Sequence, residues 1–265
     1  ETEQEKTEPT TSSVGIGVQP IGEYSLNGYI VVTGDAAMEM YSIASTKLKE
    51  YAASANNLAS KIPSSKVYVM LAPTRMEFYG PEEYRTGSHS QQMGISTAYL
   101  ALNPEVTGVD AYNEIARHTD EYEYFRTDHH WTSNAAYAAY LALGKPLSYE
   151  PRELEPQVMS DSFKGTLYSK TLNESIKADE IIRYGGESRA TLTVGGKSSP
   201  LYCPERLDEK DKYLYFLGGN YGICTVTNEK VQGGKLLMIK DSYANCLVPL
   251  LAEHFSEITL IDTRY

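Results

Sequence analysis

The chain is short of cysteine, of basic charge and of long apolar runs. Its three cysteines, Cys203, Cys224 and Cys246, have no metal-type spacing, which excludes a thiolate zinc module. An odd number permits at most one disulfide. Cys203 with Cys224 is a candidate pair, and Cys246 falls on the apolar side of a predicted helix as inert core. With 24 Lys and Arg against 35 Asp and Glu, the net charge is −11 and repels polyanions, so nucleic acid is not an expected partner. No stretch reaches the roughly 18 apolar residues of a membrane helix, and no signal-type apolar core is present, so the chain is expected to be soluble. Residues 1–20 (ETEQEKTEPTTSSVGIGVQP) have too few large apolar side chains to fold and are expected to be a disordered acidic tether. A tether of that kind fits an exported, extracellular or cell-surface protein, with a signal or membrane anchor upstream.

Tryptophan (1) and phenylalanine (5) are scarce beside 22 tyrosines. A tyrosine ring buries an apolar face while its hydroxyl keeps a partner, so most are expected in strands and helices, and a few near a site to stack on sugar rings. A hydrophobic share of 41% with 22% charged residues is ordinary for a globular chain. At 265 residues, one domain over residues 21–265 would bury about three quarters of its unfolded surface.

The single tryptophan ends Asp128-His129-His130-Trp131. A predicted strand, Glu121 to Thr127, precedes this block. Thr132-Ser133-Asn134 then offers helix-capping side chains, and Ala135 to Leu143 reads as a helix stopped by Gly144 and Pro146. In an extended backbone residues two apart face the same side, roughly 6.5 Å between alpha carbons, so Asp128 and His130 can meet while His129 turns away. A carboxylate on one imidazole nitrogen leaves the other free as a base. A nucleophile must come from elsewhere. Lys240-Asp241-Ser242-Tyr243 follows an apolar strand, Lys235 to Lys240, and precedes helical spacing over Asn245 to Phe255 and a strand at Ile258 to Ile261. That β-α-β unit puts Ser242 at a tight turn, where helix-start amides can face an oxyanion. Ser242 can equally serve only as a cap. Pro249 removes a helix bond to Asn245 and predicts a kink.

Together the two blocks resemble the DHHW protein family, which is similar to the alginate acetyl-transfer proteins and their rearranged SGNH-hydrolase domain. The resemblance runs from about Gly28 to Tyr265. It implies an α/β, three-layer SGNH-like fold with a mostly parallel central sheet, Ser242 as nucleophile, His130 as general base and Asp128 as orienting carboxylate. In SGNH-type enzymes serine lies in a Gly-Asp-Ser block that precedes the histidine. Here the order is reversed and Lys240 replaces that glycine. Their oxyanion hole uses an Asn in a Gly-x-Asn block, which Gly218-Gly219-Asn220 matches after a predicted strand, Tyr213 to Leu217, and which carries Asn220 and Gly219 over. The tripeptide is also an ordinary turn. The resemblance further implies acyl transfer or ester hydrolysis, an acetyl group, an exported or cell-envelope carbohydrate or acetylated polysaccharide as partner, and no metal or organic cofactor.

The remaining chain supplies the surroundings. Tyr29 to Thr33 reads as a strand, Tyr41 to Ile62 as a helix, Lys66 to Leu71 as a central strand and Asp110 to Arg117 as a helix. The strand at Lys66 to Leu71 delivers Arg75, and the last strand delivers Arg264. Both are expected at the substrate rim with Trp131 and Tyr243, although Arg75 paired with Glu77 and Arg264 in a surface pair are the plainer readings. Residues 80–103 read as a long loop with one short helix, and 145–212 as a β-rich insertion with hairpins at Ile181 to Tyr184 and Ala190 to Val194, in which Gly165 can lend an amide. Two rivals remain. A binding module for polysaccharide would keep the fold without turnover, and a metal-dependent hydrolase would use Asp128, His129 and His130 but lacks further ligands at metal-type spacing.

Overall fold

The computed structural model describes residues 23–265; the tether expected over residues 1–20 lies outside them. The described chain opens with an antiparallel sheet of β1 (Ser25–Asn27), β2 (Ile30–Val32) and β3 (Ala37–Glu39). Helix α1 (Ser45–Lys61) follows, rich in alanine and stopped before Pro63. Strand β4 (Val67–Met70) pairs in parallel with β5 (Val106–Val109), and α2 (Arg75–Tyr79) and α3 (Gln91–Tyr99) lie between them. Asp110 caps α4 (Ala111–Ala116) by accepting from Asn113 N at 3.0 Å.

After the Asp-His-His-Trp block comes α5 (Ser133–Leu147), capped by Thr132 and buried along its alanines; it runs past Gly144 with Pro146 in its last turn and ends at Ser148, φ 61°. Then follow β6 (Pro156–Phe163), α6 (Thr166–Thr171), β7 (Asp179–Tyr184), β8 (Thr191–Val194), β9 (Lys197–Pro200), β10 (Ile223–Thr227), β11 (Lys235–Ile239), α7 (Val248–Leu251) and β12 (Glu257–Ile261).

The largest sheet has the order β11-β12-β10-β8-β9, and only β11 and β12 run parallel in it. A mostly parallel central sheet is therefore not observed. Parallel neighbours need a crossover of about a dozen residues, which the passage from β11 through α7 to β12 supplies. Strands β8 and β9 instead form a hairpin closed by Gly195 and Gly196 at φ 54° and 80°, the doubly positive pair a two-residue turn requires. This hairpin extends the sheet by antiparallel pairing, while β6 and β7 make a separate bulged pair. The fold is mixed α/β with several small sheets.

Three further expectations give way to local chemistry. Residues 121–127 form no strand but double back through a single antiparallel bridge, Tyr124 to Trp131. Residues Lys212–Tyr215 form a 3₁₀ turn rather than a strand, because the Asp211 carboxylate accepts from Tyr213 N at 3.2 Å. The helix after Ser242 breaks into a 3₁₀ turn, Ser242–Cys246, and the short α7, since Pro249 has no N–H to continue the ladder. All three cysteines are buried free thiols, so the pair Cys203 with Cys224 is not formed.

One core gathers Trp131, Tyr124, Tyr140, Tyr215, Phe125, Phe163 and the inner face of the large sheet. Several tyrosines are core residues whose hydroxyls find partners: Tyr124 donates to Pro73 O at 2.9 Å, and Tyr140 meets His254 Nε2 at 2.7 Å. Glu123 is a buried acid without such a partner. It is 1% exposed with Oε2 unpartnered among the described residues. Burial, reinforced by Glu121 and Asp120, pushes its carboxyl from the ordinary 4.5 up to about 9. Between those values the folded chain holds a proton that the unfolded chain has released, so stability falls as pH rises through the window and levels off above it. Glu123→Gln is expected to abolish that slope and to stabilise the fold by on the order of 3 kcal/mol at neutral pH, with no gain below the lower value. Melting temperature against pH for the two proteins checks this; identical slopes would show that Glu123 stays ionised.

Candidate active site

The chain is clamped just before the Asp-His-His-Trp block. Asp179, fully buried at the start of β7, accepts from Arg126 N (2.9 Å), Thr127 N (2.7 Å), Thr127 Oγ1 (2.5 Å) and the Tyr122 hydroxyl (2.5 Å). The next carboxylate is held as completely. Asp128 Oδ1 accepts from His130 N (3.0 Å) and lies 2.6 Å from His130 Nδ1, while Oδ2 accepts from Thr166 N (2.8 Å) and Thr166 Oγ1 (2.9 Å). Burial alone would raise this carboxyl. The hydrogen bond from His130, the charges of His130 and His129 and the Thr166 amide outweigh burial and hold it well below the ordinary carboxylate range. Gly165 makes the approach possible: a Cβ there would lie 2.4 Å from both Asp128 Cβ and Oδ2. Its own amide donates inward to Thr127 Oγ1 at 3.0 Å, so it is not available to a ligand.

With Nδ1–H directed at Asp128, the lone pair of His130 Nε2 faces Ser242 Oγ at 2.8 Å, across a sequence separation of 112. Both side chains are almost buried, His130 at 7% and Ser242 at 9% exposure. Besides the His130–Ser242 contact, two bonds join the two segments and a third ties the serine turn to Tyr213. Trp131 Nε1 donates to Tyr243 O at 2.8 Å, the Tyr243 hydroxyl donates to His129 O, and the Tyr213 hydroxyl reaches Ser242 O at 3.0 Å. The Tyr213 ring also stacks on His130, centroids 4.0 Å apart and planes at 14°. At the serine turn Asp241 Oδ1 takes Tyr243 N–H at 2.9 Å, whereas Ser242 N–H has no acceptor among the described residues.

The other candidates divide. Asn220 reaches the serine turn: its Oδ1 accepts from Asn245 Nδ2 at 3.0 Å, and Gly219 precedes it in the same loop. Trp131 is 1% exposed, so it braces the site from within and cannot stack on a sugar. Tyr243 is half-buried with its hydroxyl turned inward. Arg75 lies behind the block, donating from Nη1 to Tyr124 O at 3.2 Å, and is not paired with Glu77, whose carboxylate takes Gln91 N, Gln92 N and the Tyr112 hydroxyl. β4 pairs with β5 and not with the sheet that carries Ser242. Arg264 is locked to Asp262 by bonds of 2.9 and 2.7 Å.

His129 does not turn away. Its ring lies 3.9 Å from that of His130, and Nδ1 is 2.7 Å from Thr166 Oγ1. Burial and the neighbouring His130 charge lower its pKa. The single hydroxyl hydrogen of Thr166 is on Asp128, so His129 Nδ1 carries the proton and Nε2 keeps its lone pair. Asp128, His129 and His130 place ligand-type atoms within 4.8 Å of one another, but the Asp128 oxygens and His130 Nε2 already have donors facing them. Asp179, Thr166 and Tyr213 were not legible as site residues; Gly165 beside Thr166 was the one signal of a close approach.

Gly165→Ala is expected to displace the Asp128 carboxylate and slow modification of Ser242 by a sulfonyl fluoride about a hundredfold, since an ångström of misplacement has that effect. Labelling rates with circular dichroism check it; an unchanged rate in a folded variant would contradict the role given to this packing.

Among solved structures the chain is similar to a DHHW family protein from Eubacterium siraeum DSM 15702, with 27% identity, 93% of this chain and 86% of that one covered, and a TM-score of 0.81. It is also similar to Bacillus cereus PatB1 with a sulfonyl adduct, at 18% identity, 92% and 88% coverage and a TM-score of 0.71. The O-acetyltransferase domain of Pseudomonas putida AlgJ overlaps at 16% identity, 82% and 72% coverage and a TM-score of 0.47. No curated protein matches the sequence. The family model described as DHHW protein matches residues 5–261, and the chain belongs to the DHHW family.

Proposed function

We propose that the protein is a serine-dependent acyl transferase or esterase, moving an O-acetyl group on an exported or cell-envelope carbohydrate, on a rearranged SGNH-like domain. The reading rests chiefly on one observation: Ser242 Oγ, His130 Nε2, His130 Nδ1 and Asp128 Oδ1 form an unbroken line of contacts of 2.8 and 2.6 Å. Ser242 attacks the ester carbonyl as its proton passes to His130, and Asp128 holds the imidazole and stabilises the cation. The oxyanion is received by Ser242 N–H and the Asn220 side chain, because Tyr243 N–H is committed to Asp241. The departing alcohol takes the proton from His130. Water or a sugar hydroxyl then gives its proton to the same nitrogen and attacks the acyl-enzyme, releasing acid or acetylated sugar and restoring Ser242. The scheme uses no metal or organic cofactor.

The acetyl group, the carbohydrate and the cell envelope are what the resemblance of the two sequence blocks to the alginate acetyl-transfer proteins implies. No helix of the described residues is long and apolar enough to cross a membrane. With an activated acetyl ester, a mass increase of one acetyl group on Ser242 is expected, and transfer when a carbohydrate acceptor is added. Ser242→Ala is expected to lose at least about a thousandfold in turnover, the scale of a missing nucleophile. Turnover that survives Ser242→Ala would overturn the proposal, and a folded protein with no turnover or acylation would favour a polysaccharide-binding module.

A further inference from the structure

A second polar chain reaches the serine turn. Lys240 Nζ donates to Asn245 Oδ1 at 2.6 Å, and Asn245 Nδ2 donates to Asn220 Oδ1 at 3.0 Å. Asn245 is 1% exposed, so its amide has no solvent to turn to. The two ends of an asparagine amide are nearly alike in size, and its neighbours decide which way it points. An ammonium group donates only. Whatever faces it must be an oxygen, which puts the Asn245 NH₂ toward Asn220. Asn220 must then present its own oxygen, and its NH₂ is left on the far side. Without the lysine the two amides could pair in either polarity, one of which turns a carbonyl oxygen outward. The sheet register puts the free amide in a relevant place. Ile223 and Ile239 both lie opposite Ile261, so the loop before β10 that holds Asn220 and the turn after β11 that holds Ser242 leave the same rim.

We infer that Lys240 is a positioning residue that, through Asn245, fixes the Asn220 amide with its N–H groups toward the oxyanion formed at Ser242. The inference rests on the proposed oxyanion role of Asn220. It gives a task to the lysine that stands where SGNH-type blocks have glycine, a residue with no side chain to impose a polarity.

The test measures kcat and KM for an activated acetyl ester on the full chain. Asn220→Ala and Lys240→Met are each expected to lower kcat about a hundredfold with KM little changed, the size of one lost oxyanion donor. The double variant is expected to be no slower than Asn220→Ala alone, because the lysine acts only through the asparagine. Lys240→Arg restores most of kcat. Asn245→Asp guards against misfolding: a carboxylate still accepts from Lys240 but has no hydrogen for Asn220, so kcat falls while the melting temperature holds. If Asn220→Ala slows the reaction but Lys240→Met and Asn245→Asp do not, or if the losses multiply in the double variant, the relay is wrong and the oxyanion assignment stands. If Asn220→Ala leaves kcat unchanged while Ser242 still turns over, that assignment falls and the relay with it.

Discussion

The four-donor cradle of Asp128 is the constraint on which the site depends. A buried carboxylate is tolerated only when its lone pairs are matched, and here His130 N, His130 Nδ1, Thr166 N and Thr166 Oγ1 fill both oxygens. This saturation fixes the imidazole plane and its tautomer at once. It also explains the glycine at 165, because any larger residue would enter the volume of the carboxylate. Asp179 does for the preceding backbone what Thr166 does for the carboxylate, so the block stands on two satisfied buried acids in succession.

The serine arrives by a different route. Strand β11 lies at one end of the large sheet beside its parallel partner β12, and the turn after it carries Ser242 toward the histidine. Trp131, Tyr243 and Tyr213 then bind the two segments together through backbone carbonyls, which position the chain without competing for the reacting groups. The abundance of tyrosine has its physical meaning here: a ring that fills the core and a hydroxyl that reaches a carbonyl serve both halves of the task.

The DHHW and KDSY blocks were legible because their residues lie next to one another in sequence, and Asp128 and His130 meet within two positions. The β11-turn-β12 unit was equally legible from its apolar run and the strand that follows. What sequence could not give was the partner of each group from distant chain. Thr166, Asp179 and Tyr213 carry no local signature of their contacts. The mostly parallel sheet came from the family resemblance and not from any residue pattern, and β10, β8 and β9 join the large sheet antiparallel. The strand expected at Tyr213 to Leu217 failed because one capping aspartate outweighed β propensity. Trp131 was misplaced at the rim because an indole reads the same whether it faces a sugar or a carbonyl.

The central claim is that Asp128 holds the proton on His130 Nδ1 and leaves Nε2 as the acceptor for Ser242. Nitrogen NMR of protein labelled with ¹⁵N-histidine reads this directly, since protonated and lone-pair imidazole nitrogens resonate far apart. The account expects the neutral His130 ring to show a protonated Nδ1 with a strongly downfield proton, retained in Ser242→Ala and lost in Asp128→Asn. A wild-type ring protonated on Nε2 instead would contradict it.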